Sequence, residues 1–277
     1  MAILTCEYFS AARKGFQSFN VILPFESPPD MTGKTEYSRG PFKTVYLLHG
    51  YSGSRNDWLR NSDVEGWAKK YGCAFVMPDG ANYFYLNNQG TGERFGDYVG
   101  EELVRVTRLM FPLCARRQDT AIAGLSMGGF GALVNGLRFA DTFGAVIALS
   151  PALITDEVAG MKPGEGNLIA PYGYYRHTFG DPADLPGSER DPGHLSQECR
   201  DHGVMPGIFL ACGEEDFLFQ RSDAFHAHLD AIKYPHVWWR QGGGHDFDFW
   251  NKTMPAALDW LTANGAGKGE QDGTAGS

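Results

Sequence analysis

Basic residues are the scarcer charged class in this chain: 24 Lys and Arg stand against 33 Asp and Glu, for a formal net charge of -9. A surface that tracks phosphates concentrates Lys and Arg on one face, so nucleic acid and anionic membrane are not expected partners. Cysteine is sparse too. The five cysteines, at positions 6, 73, 114, 199 and 212, are odd in number, scattered, and include no Cys-x-x-Cys pair. That distribution argues against a disulfide framework or a zinc ribbon and for free thiols in a reducing compartment. Long apolar runs are missing: no segment approaches the roughly 18 uninterrupted apolar residues of a membrane span. The opening "MAILTCEYFSAARKGF" has neither a basic n-region nor an apolar h-region, and there is no internal repeat. The expectation is a soluble, cytoplasmic protein.

What is present is a chain of 277 residues, 43% of them hydrophobic, long enough to bury roughly 75% of the surface its unfolded form exposes. The alternating runs "AILTCEYF" and "FQSFNVILP" predict two antiparallel strands. Beyond the Pro-rich "PFESPPDMTGKTEYSRGP", short apolar runs at 44–50, 73–80, 120–126, 145–150, 207–213 and 236–241 alternate with helical patterns near 62–71, 97–111, 128–139, 220–233 and 247–263. Buried runs separated by helices predict a mostly parallel central sheet with helices on both faces, an α/β fold with antiparallel N-terminal strands. One domain over 1–263 accounts for this pattern. Within it, residues 151–205, including "APYGYYRHTFGDPADLPG", have weak periodicity and are expected to form an insertion or lid. The tail 264–277 is polar and glycine-rich and is expected to be disordered.

The chemistry concentrates in "AIAGLSMGGFGA", residues 121–132, where GxSxG joins a strand-like run to a helix-like one. A serine on such a tight turn projects its hydroxyl clear of the sheet, and small neighbours are needed because backbone crowds the turn. The bland alternative is a helix packed closely on the sheet, with Ser126 as its cap. A nucleophilic serine needs a base and a carboxylate to orient that base, in chain order Ser, acid, His. Of the eight histidines, His245 in "RQGGGHDFDFW" follows the last predicted strand on a flexible loop and is the expected base. His49 precedes the serine, His226 and His228 fall within a helix candidate, and His236 begins a strand. His177, His194 and His202 lie in or beside the irregular segment. The acid is sought in "GIFLACGEEDFLFQ", where Asp216, next to the apolar "FLF", is favoured over Glu214 and Glu215; Asp156, one strand earlier, competes.

Attack on a carbonyl creates a negative oxygen that needs preorganised donors. The expected donors are the backbone N–H of Met127 and, from the "HGYSGSRNDWL" turn after the first parallel strand, that of Tyr51, with Ser52 as second choice. Trp58 and Tyr175 are expected to contact substrate. The alternatives are that Trp58 belongs to the core, and that Tyr172, Tyr174 and Tyr175 hold the 151–205 segment against the rest of the chain.

Taken together, "VYLLHGYSGSRNDWL", "IAGLSMGGFGAL", "FGDPADLPGSERDP", "CGEEDFLF" and "GGGHDFDFW" resemble, in the same order and at similar separations, the blocks of the esterase D-like family of α/β hydrolases, nearest its tributyrin-esterase type. The resemblance spans about residues 2 to 263. It implies an α/β-hydrolase fold and a short-chain carboxylesterase with Ser126, Asp216 and His245 as its triad and Tyr51 and Met127 at its oxyanion positions. It further implies no metal or cofactor, a small-molecule ester as substrate, and often a homo-oligomer. Neighbouring branches hydrolyse S-formylglutathione, feruloyl esters or acetylated sugars, so these stand as alternatives to a simple short-chain ester. A non-catalytic binding protein on the same fold is the remaining, least favoured reading, because all three triad positions carry competent side chains.

Overall fold

The computed structural model describes residues 1–25, 38–88, 90–167 and 169–264. These form an eight-stranded sheet in the order β1-β2-β4-β3-β5-β6-β7-β8. β1 (Ala2–Ser10) and β2 (Gly15–Leu23) are an antiparallel hairpin whose inner strand also pairs antiparallel with β4 (Cys73–Pro78). All further pairings are parallel, through β3 (Lys43–Leu48), β5 (Thr120–Leu125), β6 (Ala145–Leu149), β7 (Gly207–Gly213) and β8 (His236–Gln241). This is the α/β-hydrolase fold that the sequence predicts.

Helices fill the crossovers that parallel strands require. α1 (Asp57–Asn61) and α2 (Val64–Tyr71) lie between β3 and β4. α3 (Phe95–Asp97), a π-helical turn at Tyr98–Glu102 and α4 (Leu103–Met110) run continuously between β4 and β5. α5 (Met127–Arg138) follows β5. α6 (Thr155–Gly160), α7 (Tyr172–Phe179) and α8 (Pro192–His202) connect β6 to β7; α9 (Phe219–Ala231) and α10 (Phe247–Asn264) flank β8. The five helices expected from periodicity are present within a few residues, whereas α1, α6, α7 and α8 are additions. The irregular segment is therefore substantially helical. At the other end, Asn264 closes α10 instead of opening a tail, and the tail beyond it, like residues 26–37 of the Pro-rich stretch, lies outside the described residues.

Side chains of a strand alternate between faces, so each central strand feeds two cores. Tyr46, Leu48, Ile122, Val146, Ala148, Ile208 and Leu210 face a layer built from Phe130 and Leu133 of α5, Tyr175 of α7, Leu195 of α8 and Phe225 of α9. Val45, Leu47, Ala121, Ala123, Leu125, Ile147, Leu149 and Phe209 face Trp67 of α2 and Trp250, Met254 and Leu258 of α10. From β3 the chain steps outward to β4, then crosses back to β5 and proceeds the other way. The loops after β3 and β5 consequently diverge, and open parallel sheets bind ligands in the crevice at such a reversal, at the carboxyl ends of the strands.

Candidate active site

Ser126 sits at the end of β5 as the N-cap of α5, with φ 55° and ψ -119°. Such a backbone conformation is costly for a residue with a side chain, by about 1–3 kcal/mol, and persists only where the surroundings hold it. Here Ser126 N donates to Leu149 O at 2.9 Å, while Ser126 O accepts from Ala152 N and Phe130 N, both at 3.0 Å. The flanking glycines of GxSxG have a specific steric reason. A Cβ on Gly124 would lie 2.2 Å from Gly128 O, and one on Gly128 would lie 2.4 Å from Leu48 O and 2.6 Å from His49 O. The turn is thus clamped between β6 and the end of β3, leaving its hydroxyl partly exposed.

His245, on the loop between β8 and α10, places Nε2 3.0 Å from Ser126 Oγ and Nδ1 2.8 Å from Asp216 Oδ2. Asp216 is buried after β7, and its other oxygen accepts from Leu218 N at 2.8 Å. Burial pushes this carboxyl's pKa up, but hydrogen bonds from His245, Leu218 N–H and the Ser150 hydroxyl outweigh burial, and the net shift is downward. Glu214 and Glu215 face solvent, as does Asp156 on α6. Three side chains distant in the chain therefore form one hydrogen-bonded line.

The turn after β3 faces the start of α5. His49, buried at its base, accepts from Gly80 N through Nε2 at 2.9 Å. An amide N–H can only donate, so the ring proton resides on Nδ1, which donates to Gly50 O at 2.8 Å. Burial holds the imidazole pKa below its ordinary value, with the Gly50 bond and nearby Asp57 and Asp79 acting in the opposite direction. Ser52 N donates to Asn82 Oδ1 at 2.7 Å, which leaves it engaged. The N–H groups of Tyr51 and Met127 have no intramolecular acceptor among the described residues. With Gly128 packed on the Leu48 and His49 carbonyls, these two donors flank the crevice beside Ser126.

The residues expected to touch substrate behave differently. Trp58 has no exposed surface; its indole N–H donates to Leu48 O at 3.2 Å and its ring packs edge-on against Trp67 and Phe247. It supports the turn from within the core, which corrects its expected place on the pocket wall. Tyr175 is likewise buried, its hydroxyl donating to Asn167 Oδ1 at 3.0 Å, and it holds the 151–205 segment together. The aromatic that does reach the turn is Tyr174, whose ring meets Tyr51 edge-on at 5.9 Å and whose hydroxyl donates to Asn82 O.

Sequence reasoning missed a second tier of groups. Ser150, buried at the end of β6 with φ 44°, accepts from Trp250 Nε1 at 3.1 Å and donates toward Asp216. Trp250 also packs edge-on against His245, at 5.1 Å between ring centres, and the ring of Phe217, 71% exposed, lies 4.7 Å from that imidazole. The signal for Phe217 was its place beside Asp216; nothing in the sequence distinguishes Ser150 or Trp250 from ordinary core.

Comparison with known proteins follows the same geometry. The family model described as "Putative esterase" matches residues 19–261. An acetyl esterase from Caldicellulosiruptor saccharolyticus is 39% identical over 263 residues, covering 95% of this chain and 98% of the relative. FphF, a fluorophosphonate-binding serine hydrolase of Staphylococcus aureus, superposes with a TM-score of 0.81 at 27% identity, over 94% of this chain and 98% of its own. The S-formylglutathione hydrolase FrmB of the same organism gives a TM-score of 0.78 at 26% identity, with 94% and 98% covered.

Proposed function

Since this chain belongs to the Putative esterase family and is a serine esterase, a carboxylic-ester hydrolase, we propose that Ser126, His245 and Asp216 carry out its reaction on short acyl groups. Acetyl is the acyl group suggested by likeness to the acetyl esterase relative. The observation that supports the residue assignment is the line Asp216 Oδ2 to His245 Nδ1 at 2.8 Å and His245 Nε2 to Ser126 Oγ at 3.0 Å. The carboxylate accepts the Nδ1 proton, which fixes the tautomer and leaves Nε2 able to take the serine proton as Oγ attacks the ester carbonyl. Backbone N–H groups of Tyr51 and Met127 stabilise the resulting oxyanion, each such donor being worth about 3–4 kcal/mol. The imidazolium then protonates the departing alcohol, an acyl-Ser126 forms, and water repeats the steps in reverse.

Residues 1–263 act in this reading as one catalytic unit, with substrate contacts supplied by the crevice rim at Tyr51, Phe217 and Tyr174. The described residues contain no helix long and apolar enough to cross a membrane. All five cysteines are unpaired, in keeping with a reducing cytoplasm, the location we propose. Ser126→Ala is expected to abolish turnover of p-nitrophenyl acetate in a protein with unchanged thermal unfolding. Retention of more than a few per cent of activity would defeat the assignment of the nucleophile.

A second reading, thioester hydrolysis of an S-acylglutathione, draws on likeness to FrmB. A groove between α6, the start of α8 and α9 is lined by Asp156, Glu157 and Asp191 against Arg221 alone among Lys and Arg side chains. Arg221 is already paired with Glu157 at 2.5 Å. A substrate that carries carboxylates meets net negative charge in this groove.

A further inference from the structure

Three side chains outside the crevice converge where α9 turns into β8. His226 and Asp230 share one face of α9, four residues apart, and His236 opens β8. His226 Nδ1 lies 2.8 Å from His236 Nε2, and Asp230 carboxylate oxygens lie 3.6 Å from His226 Nε2 and 3.9 Å from His236 Nε2. One ligand atom from each residue falls within 4.8 Å of the others.

Proton bookkeeping shows what this cluster lacks. His236 Nδ1 lies 2.8 Å from Tyr234 O; a carbonyl only accepts, so that nitrogen carries the proton and Nε2 presents a lone pair inward. The single proton on His226 Nδ1 is all that separates the two imidazole nitrogens. When it sits there, His226 Nε2 turns its own lone pair toward the Asp230 carboxylate. Two nitrogen lone pairs and a carboxylate thus meet with one proton among them, an arrangement that a cation would satisfy better.

The rings are also held in place. Bonding of the second ring nitrogen to a backbone carbonyl is the usual outer support of a metal-bound histidine, and Tyr234 O supplies it to His236. Trp238 stacks on His226 at 5.5 Å with planes 20° apart, limiting its rotation. Bonds of about 2.0–2.1 Å in a tetrahedral zinc site put ligand nitrogens about 3.3 Å apart. The imidazole pair therefore needs to open by only about half an ångström from its 2.8 Å separation.

We propose that His226, His236 and Asp230 form a binding site for a divalent transition-metal ion of the zinc or cobalt type. Two imidazoles and one carboxylate suit such ions, whereas calcium and magnesium prefer oxygen ligands throughout. Binding at His226 Nδ1 and His236 Nε2 moves the His226 proton from Nδ1 to Nε2, where it faces Asp230 Oδ2, and leaves the remaining coordination positions to water, since Asp230 is 64% exposed on its side chain. The site joins α9, which follows the Asp216 loop, to β8, which leads into the His245 loop. Its role is a staple between two elements that adjoin the loops of the acid and the base, not a part of the ester chemistry.

The test uses the full chain, stripped with chelator and then titrated separately with Zn²⁺ by equilibrium dialysis and with Co²⁺ by visible absorption. The expected result is uptake of one ion per chain, cobalt ligand-field bands, and a higher Tm, with p-nitrophenyl acetate turnover unchanged by the metal. His226→Ala and Asp230→Asn should each weaken uptake at least roughly tenfold, since loss of even an outer-shell partner costs about 10–100-fold. Asp230→Asn removes an exposed ligand without altering packing, so it remains informative should His226→Ala fold poorly. Absence of saturable one-to-one uptake by the wild-type chain, or uptake undiminished in Asp230→Asn, overturns the proposal.

Discussion

Gly128 shows how little room the nucleophile's turn leaves at the scale of a single residue. A methyl group there would meet the backbone oxygens of Leu48 and His49 at 2.4 and 2.6 Å, and backbone cannot rotate away as a side chain can. Gly128→Ala is expected to cost about 1–3 kcal/mol through overpacking and, by displacing Ser126 relative to His245, to lower kcat by roughly a hundredfold. Thermal unfolding and steady-state kinetics check the two parts separately. His49 makes a different prediction. Burial holds its pKa below the ordinary histidine value of about 6.5 in the folded chain, so the unfolded state binds more protons once pH falls below that value. Its stabilising contribution is fully present above about pH 6.5 and is lost as pH falls through the folded pKa. His49→Gln keeps an acceptor for Gly80 N–H, and its Tm should fall less steeply than the wild type's as pH drops below about 6.5. Equal slopes would show that His49 is not the titrating group.

Secondary-structure elements were readable wherever a segment was long enough to repeat its pattern. The alternation in β1 and β2, the continuous apolar runs of β3, β5, β6 and β7 and the 18-residue α10 are of this kind. The 151–205 segment was not, because α6 and α7 have six and eight residues and bury only a few of them. α8 did carry end signals that periodicity overlooked: Asp191 accepts from Gly193 N, Pro192 occupies the first turn, and Gly203 closes the helix with φ 74°. Leu195 and Cys199 anchor it in the same core as α5, which is packing unlike that of a hinged lid. Leu195→Ala should therefore destabilise the fold by about 2–5 kcal/mol in one cooperative transition and leave KM for a short ester unchanged. A large shift in KM at constant Tm would instead favour a mobile lid over the site.

On the scale of the whole molecule, the net charge of -9 and the acidic groove between α6, α8 and α9 repel a substrate that carries carboxylates. Repulsion of this kind is screened as the Debye length falls from about 30 to 3 Å between 0.01 and 1 M salt. For S-acetylglutathione, kcat/KM should rise across that range, whereas for neutral p-nitrophenyl acetate it should stay nearly constant. Parallel salt profiles for the two substrates would remove electrostatic exclusion as a basis for ester preference.

Local order along the chain was sufficient for the strands and the longer helices, for the serine's turn and for nominating His245 and Asp216, because each of these depends on neighbours within about a dozen residues or on position relative to a strand. Contacts across the fold decided the rest. Only packing could remove Trp58 and Tyr175 from the pocket wall, engage Ser52 with Asn82, bring Ser150 and Trp250 behind the acid, and set His226 against His236. Burial and hydrogen-bond partners belong to the surroundings a side chain acquires, and those surroundings come from segments that the local sequence does not contain.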